Sequence, residues 1–188
     1  LLHSRPFRDS SQLIEVFSRD HGRIGLVARG VRSSRSRYRG VLRPFAPLEL
    51  SWTIAGDLGT LPGVDSAGRL PTMAGDALMA GFYVNELVLK LTHRHDAQPE
   101  VYDAYEAAVA GLAGHPDIEF TLRCFELRLL RAIGYGLDLE HDMVTGQPVE
   151  DGAWYRVRSA EGVARTTADG PDASLFSGAE LRDIAAER

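Results

Sequence analysis

The chain of 188 residues holds a single cysteine, Cys124, and a single lysine, Lys90. One cysteine excludes an internal disulfide bond and a zinc site built from several cysteines. No apolar run approaches the roughly 18–20 residues that a membrane-spanning helix needs. Because Arg5, Arg8 and Asp9 interrupt the beginning of the chain, we expect no signal peptide there. Together these absences predict a cytoplasmic protein.

The composition, with 44% apolar and 25% charged residues, is close to the average of globular proteins and excludes a disordered or collagen-like chain. The net charge of −5 hides an uneven distribution along the chain. Residues 1–43 hold ten arginines and three carboxylates, a net charge of +7, whereas residues 44–188 carry −12. This separation predicts two functional parts, of which the basic part could face a polyanion.

Residues 1 to about 70 have the pattern of short β-strands separated by turns. The clearest candidate strand places Ile24, Leu26 and Ala28 on one face. The candidate strands span residues 13–17, 23–29, 41–42, 48–52 and 58–61. Four or five short strands at intervals of about ten residues predict a small barrel or sandwich.

Helical spacing of apolar residues begins after a turn-rich junction near residue 70. The first helix, from residue 76, is apolar around much of its circumference, so we expect it to be largely buried. A second helix spans residues 99–112, and a third runs from its N-cap Asp117 to residue 133. The sequence therefore predicts an α+β chain, with a β domain over 1–70 and a mostly helical domain over 71–188.

The predicted helical domain also contains a small β-hairpin insertion, formed by residues 154–158 and 162–165. A last helix opens at residue 177 and stops abruptly at Arg188. Because the chain also begins with Leu1 and not with methionine, we expect it to be trimmed at both ends.

The strongest local feature is an arginine-rich loop over residues 29–39, called the basic loop below. Its glycine and serines indicate flexibility, and Tyr38 offers a ring on which a base could stack. Arginine binds phosphate through a fork of N–H donors and stacks on bases, as nucleic-acid contact requires. The predicted DNA-contact residues are Arg29, Arg32, Arg35, Arg37, Tyr38, Arg39 and Arg43. The alternative is a solvated, mobile loop that arginine-rich codon usage made basic.

Residues that could carry catalysis are scattered along the sequence. His93, His95 and Asp96 could ligate a metal, but residues two apart point to different faces of a helix, which favours a polar helix end. Cys124 and His141 could form a catalytic dyad, although a buried structural thiol is the simpler interpretation. The sequence has no G-x-S-x-G elbow, P-loop or dinucleotide motif. We therefore predict no enzyme, no cofactor and no metal.

The third predicted helix carries a second candidate site. Phe120, Arg123, Leu127 and Arg131 share one stripe, because they are spaced three or four residues apart. An apolar stripe beside arginines could receive a peptide that offers an apolar side chain and a carboxylate. The alternative is an ordinary amphipathic helix whose arginines pair with its own glutamates, Glu119 and Glu126.

Several stretches together resemble one protein family, the bacterial recombination mediators called RecO. Each motif alone is weak, but six occur in the same order between residue 2 and residue 146 at least. The stretches are residues 2–7, 16–23, 26–30, 42–48, 81–87 and 122–136.

The resemblance implies an N-terminal OB-fold followed by a helical domain. It implies binding to single- and double-stranded DNA, strand annealing, and cooperation with RecR in loading RecA onto DNA coated by the single-stranded DNA-binding protein SSB. It also implies a bacterial, nucleoid-associated protein that is not an enzyme. The basic loop lies in the OB-fold segment, and Arg123 aligns with a family arginine assigned to the acidic C-terminal tail of SSB.

The chain departs from many RecO proteins after the Gly-Tyr motif at residues 134–136. A four-cysteine zinc module stands there in many members, whereas residues 139–146 contain no cysteine, which indicates the zinc-free branch. Two other functions remain open. The chain could be an adaptor that docks SSB or RecR without binding DNA itself, or an enzyme that uses Cys124 or the histidine cluster.

Overall fold

The computed structural model describes residues 1–33, 36, 38, 40–56, 58–114, 117–158, 161–167 and 174–187. Strands occupy the first third of the chain, helices the middle, and a small sheet with a final helix the end. The elements are β1 His3–Phe7, β2 Ser11–Ser18, β3 Gly22–Ala28, β4 Leu48–Ala55, β5 Leu58–Ser66, α1 Gly75–Leu91, α2 Pro99–Gly114, α3 Ile118–Ala132, β6 Trp154–Arg158, β7 Gly162–Thr166, β8 Leu175–Ser177 and α4 Gly178–Ala185. Within the described ranges, no helix is long and apolar enough to cross a membrane.

The N-terminal sheet has the strand order β1-β2-β3-β5-β4. Its neighbours are antiparallel except β3 and β5, which pair in parallel through Leu26–Gly59 and Val27–Thr60. Gly59 lies at a close approach, because a Cβ there would stand 2.8 Å from the carbonyl oxygen of Thr53. The inward residues Ile14, Leu26 and others of this sheet are fully buried. This five-stranded sheet, in which the parallel β3–β5 pair interrupts the sequential order, is the predicted OB-fold.

Two details of the strand prediction are wrong. Residues 41–42 form a turn and not a strand, and the backbone N–H of Val41 donates to the carbonyl of Tyr38 at 3.2 Å. Strand β1 was not predicted, because Arg5 and Pro6 interrupt its apolar pattern. A proline is tolerated there since β1 lies at the edge of the sheet.

The expectation that the first helix is largely buried is also wrong. Its core side chains Ala80, Val84 and Val88 are buried, as its periodicity requires. Met79 and Tyr83, however, are 67% and 41% exposed. The side of α1 that carries Met79 and Tyr83 is therefore partly exposed.

The helices α1 and α2 are joined to the sheet through a buried polar link. The amide of Asn85 on α1 donates to the carbonyl of Leu2 at 2.8 Å, and its oxygen accepts from the Tyr105 hydroxyl of α2 at 2.9 Å. Arg94, just after α1, forms a half-buried ion pair with Glu15 of β2. Burial raises the pKa of the Tyr105 hydroxyl, which keeps it protonated as the donor in this link.

The chain divides into two compact units, Leu1–Leu129 and Leu130–Arg188. The change from strands to helices falls between β5 and α1, near the predicted residue 70. The compact units divide later, because the links just described hold α1 and α2 on the sheet.

The second unit contains the predicted hairpin β6–β7, with β8 as a third strand on the other side of β6. Ser177 caps α4 through a reciprocal capping box with Glu180. The buried carboxylate of Asp142 organises the preceding loop: it accepts from the backbone N–H groups of Thr145 at 2.7 Å and Arg165 at 2.6 Å.

Candidate functional site

The described start of the basic loop is attached to the turn between β1 and β2. The backbone N–H of Arg32 donates to the carbonyl of Ser10 at 3.0 Å. The Arg32 guanidinium also donates to the carbonyl of Arg8 at 3.4 Å. Sequence reasoning did not single out Arg8, which lies 24 residues earlier. The signal that could have found it is its position in the first turn of an OB-fold, a loop that binds oligonucleotides in other OB-folds.

Three arginines at this end of the sheet are exposed: Arg8, Arg29 and Arg32. We call these three residues the basic surface. Arg43 is also exposed, but it lies two residues before Phe45, whose backbone N–H donates to the carbonyl of Leu1 near the start of β1. Within the part of the chain that the structure describes, none of the three arginines of the basic surface forms an ion pair with a carboxylate, unlike Arg19, which pairs with Asp103 at 2.9 Å.

The structure places Tyr38 in the barrel core and not on an open surface. The residue is 9% exposed, and its hydroxyl donates to the carbonyl of Pro62 at 2.8 Å. Its ring therefore offers little area for stacking on a base, unlike the sequence-based expectation. Three further predicted contacts, Arg35, Arg37 and Arg39, lie outside the described residues.

The second candidate site lies on α3, where Asp117 caps the helix as predicted by accepting from the backbone N–H of Phe120 at 2.9 Å. Arg123 is 65% exposed and pairs with Glu126 at 2.6 Å and with Glu119 at 3.9 Å. This pairing within the helix is the one expected for an ordinary amphipathic helix.

The Arg123 side of α3 continues onto α1 through a hydrogen bond. The Tyr83 hydroxyl donates to Glu126 Oε1 at 2.8 Å. Met79 lies one turn before Tyr83 on α1, and Phe120 lies one turn before Arg123 on α3. We call these four residues, Met79, Tyr83, Phe120 and Arg123, the docking face; each is at least 40% exposed.

The two remaining members of the predicted stripe differ in position. Leu127 on α3 is half-buried. Arg131 is exposed and belongs to the second compact unit, so it is not part of the docking face as defined here.

The histidine cluster considered for metal binding lies in the segment that follows α1. Arg94, between His93 and His95, pairs with Glu15, and the backbone N–H of His95 donates to the carbonyl of Arg23 at 2.9 Å. This segment therefore connects α1 to the sheet. Among the residues with a described position, no group of three or more histidine, cysteine, aspartate or glutamate side chains could hold a metal ion.

Comparison with known proteins identifies the family. The models described as "Recombination protein O N terminal" and "Recombination protein O C terminal" match residues 1–68 and 74–182. The DNA repair protein RecO of Halorhodospira halophila is 48% identical over 186 residues, which cover 99% of this chain and 77% of that protein. The chain belongs to the RecO family. The RecO proteins of Azoarcus sp. strain BH72 and Nitrosococcus oceani are 44% and 40% identical, over 99% and 98% of this chain and 78% and 75% of theirs.

Membership of the RecO family confirms the resemblance carried by the six motifs and a general role in DNA repair. RecO proteins are repair mediators and not catalytic enzymes. The zinc module of many RecO proteins does not fit this chain, since its single cysteine is Cys124. In the loop at residues 142–146, both oxygens of Asp142 bind backbone N–H groups, so a buried carboxylate organises this segment.

Proposed function

We propose that this RecO protein binds single- and double-stranded DNA and anneals complementary strands. The observation that supports the proposal is the basic surface, because its exposed arginines have no carboxylate partner in the described part of the chain. Arginine groups of this kind bind phosphates with fork geometry and in a salt-dependent manner. We assign DNA contact to the segment 1–70 and partner docking to the segment 71–188.

Annealing requires that two negatively charged strands lie close together, so phosphates on both must be neutralised. Arginines on turns of a small barrel can contact phosphates on either strand without reading base edges. The basic surface therefore suits pairing of strands of any sequence. Arg35, Arg37 and Arg39 belong to the proposal on sequence grounds, since they continue the same loop. Binding of this kind would hold the protein at the bacterial nucleoid.

The second part of the proposal concerns partners. The docking face would receive the acidic C-terminal tail of SSB, with Arg123 binding the terminal carboxylate and Tyr83 and Met79 contacting its last side chain. Leu127 extends this prediction along α3, and Arg131 belongs to the proposal on sequence grounds alone. Docking in this way would place the protein beside SSB-coated single strands, where it would act with RecR to load RecA.

The test of DNA binding is fluorescence anisotropy with a labelled single-stranded oligonucleotide, measured from low to physiological salt. The test variant changes Arg8, Arg29 and Arg32 to alanine. Its matched control changes three ion-paired arginines to alanine: Arg19, Arg158 and Arg165. Both variants lose three positive charges, so the control measures the effect of net charge lost away from the basic surface, at arginines that were paired.

We expect the test variant to lose most of the affinity, and its slope of log K against log salt to fall by about two, at roughly 0.7 per phosphate contact on single strands. The control should keep the native slope. A further variant with Arg35, Arg37 and Arg39 changed to alanine measures the rest of the loop. If all the variants bind and anneal like the native chain, the DNA surface lies elsewhere on the chain. If the native chain itself does not bind DNA, the adaptor function should replace this proposal.

A further inference from the structure

Glu126 stands between the two helices of the docking face, and both of its carboxylate oxygens are engaged. Oε1 accepts from the Tyr83 hydroxyl of α1 at 2.8 Å. Oε2 accepts from the Arg123 guanidinium at 2.6 Å. The Glu126 side chain is 22% exposed, whereas that of Arg123 is 65% exposed. The Arg123 guanidinium is therefore exposed at the surface, while the Glu126 carboxylate binds one of its edges.

We propose that Glu126 is an internal competitor for Arg123: it occupies the guanidinium that the terminal carboxylate of a docked peptide would bind. This inference rests on the peptide docking proposed above. Docking then exchanges one carboxylate for another on Arg123. In the free protein Glu126 occupies Arg123, and a ligand must displace it.

The geometry explains why Glu126, and not another acid, has this role. Its position three residues after Arg123 places both side chains on one face of α3. Glu119 lies on the other side of Arg123, but its carboxylate is 3.9 Å away and its side chain is 82% exposed. A contact that long and exposed contributes little. Glu126 is also held by Tyr83, a second donor on a different helix.

The charge state of the cluster supports the competition. The hydrogen bond to Glu126 raises the pKa of both the Arg123 guanidinium and the Tyr83 hydroxyl above their usual values. Arg123 thus stays charged and Tyr83 stays a donor at neutral pH. When a ligand displaces Glu126 from Arg123, the Tyr83 hydroxyl still satisfies one of its oxygens. The exchange therefore leaves no carboxylate without a hydrogen bond.

Competition of this kind lowers the affinity for a ligand with a terminal carboxylate more than the affinity for a ligand without one. A ligand that offers only an apolar side chain leaves the Glu126–Arg123 pair in place and contacts Tyr83 and Met79 alone. A ligand that also offers a terminal carboxylate gains Arg123, but loses part of that gain because Glu126 must be displaced. Neutralising Glu126 should therefore favour the carboxylate ligand and leave the apolar part of binding unchanged.

The probe is a fluorescein-labelled acidic peptide that ends in phenylalanine with a free carboxylate, and the same peptide ending in an amide. Anisotropy titrations use the native chain, Glu126→Gln, Glu126→Ala, Arg123→Ala and the control Glu119→Gln. The control removes the same negative charge one helical turn from Arg123, on the side away from Glu126, so it measures general repulsion of an acidic peptide. Thermal unfolding of each variant shows that it is folded.

Both Glu126 variants should bind the free-acid peptide about threefold more tightly than the native chain does, the size of an exposed ion pair. The amide peptide and the Glu119→Gln variant should change by less than this. Equal tightening by Glu119→Gln, or unchanged or weaker binding by both Glu126 variants, would overturn the competitor role alone. If no variant binds either peptide, or if Arg123→Ala binds like the native chain, the docking proposal fails and the competitor role fails with it.

Discussion

The arginines discussed above fall into two groups, those that form an ion pair with a carboxylate and those that form none with a described residue. On the basic surface, Arg8 and Arg32 lie on two turns that a hydrogen bond joins, and neither forms an ion pair with a carboxylate in the described part of the chain. On α3 and in the second unit, arginines face acids: Arg123 is 2.6 Å from Glu126, and Arg165 is 3.0 Å from Glu150. The residue type is the same in both groups, so the neighbour decides what each arginine can do.

The comparison explains how an acidic protein can have a surface for DNA. The net charge of −5 describes the average over the molecule, and a polyanion meets one surface at a time. Ion pairs neutralise arginines where the chain uses them for its own structure. Arginines without such partners keep a field that attracts phosphates over about a Debye length, roughly 8 Å at physiological salt.

Among the ion-paired arginines, we expect the largest effect from the substitution Arg94→Ala. The side chains of Arg94 and Glu15 are 33% and 11% exposed, so the substitution leaves a largely buried carboxylate without its partner. We expect the free energy of unfolding, measured by urea titration, to fall by about 2–3 kcal/mol, somewhat less than for a fully buried pair. DNA affinity of the folded variant should not change. A loss of DNA binding without a loss of stability would show that Arg94 acts like the unpaired arginines of the basic surface.

An acid with no arginine partner provides the next comparison. Asp142 accepts hydrogen bonds from the backbone of Arg165, Thr145 and Val144, and these bonds lower the pKa of its carboxyl below the usual value. Asp142→Asn replaces one acceptor oxygen by a donor, so the second unit should lose about 2 kcal/mol.

The pH dependence of this loss follows from the direction of the pKa shift. A carboxyl whose pKa is depressed by folding stabilises the native state above its unfolded pKa of about 3.9, and loses that contribution as pH falls through the native value. The stability difference between the native chain and Asp142→Asn should be constant from about pH 5 to about pH 7, because this range lies about one unit or more above the unfolded pKa. Below about pH 4 the difference should shrink. Urea titrations across this range, followed by a near-UV signal, measure it. A difference that grows on acidification would contradict the assignment.

The comparison can be broken deliberately by giving the basic surface a second acid next to Asp9, which forms no ion pair within the described residues. Ser10 is exposed, and its carbonyl accepts from the backbone of Arg32. Ser10→Glu would place a carboxylate beside Arg8 and Arg32 and convert them into paired arginines. We expect oligonucleotide affinity to fall about tenfold, or roughly 1.4 kcal/mol, at unchanged stability. Ser10→Gln is the uncharged control and should bind like the native chain.

The smallest expected effect concerns an exposed pair. Arg19 and Asp103 are joined at 2.9 Å, but their side chains are 52% and 54% exposed. Arg19→Ala should therefore change stability by no more than about 0.5 kcal/mol and leave DNA binding unaltered. A DNA effect comparable to that of Arg8→Ala in the same anisotropy assay would show that pairing does not separate the two groups.

Local chemistry made parts of the fold predictable from the sequence. Asp117 caps α3 because its side chain reaches the N–H of a residue three positions away. Gly134, with φ of 85°, ends the helical segment because glycine adopts the left-handed region without strain. The β6–β7 hairpin and the buried face of β3 follow from alternation over a few residues. Each of these depends on neighbours close in sequence.

Features that depend on distant neighbours were predicted less well. Strand β1 was missed because its pairing with β2, and not its own apolar pattern, makes it a strand. The apolar circumference of α1 suggested burial, but periodicity does not show which sides other elements cover, and Tyr83 stays exposed. Tyr38 was predicted to contact DNA because its neighbours in sequence are arginines, whereas packing in the barrel buries its ring.

The sequence by itself determined the α+β class, the order of strands before helices, the family and the arginine-rich segment, because these depend on residue type, spacing and order. Only the tertiary structure decided which arginines are paired and which are not. Arg8 meets Arg32, and Tyr83 meets Glu126, across 24 and 43 residues of chain. Coulomb attraction depends on the distance between two charges in space and on their exposure to water, and neither quantity is encoded at a single position.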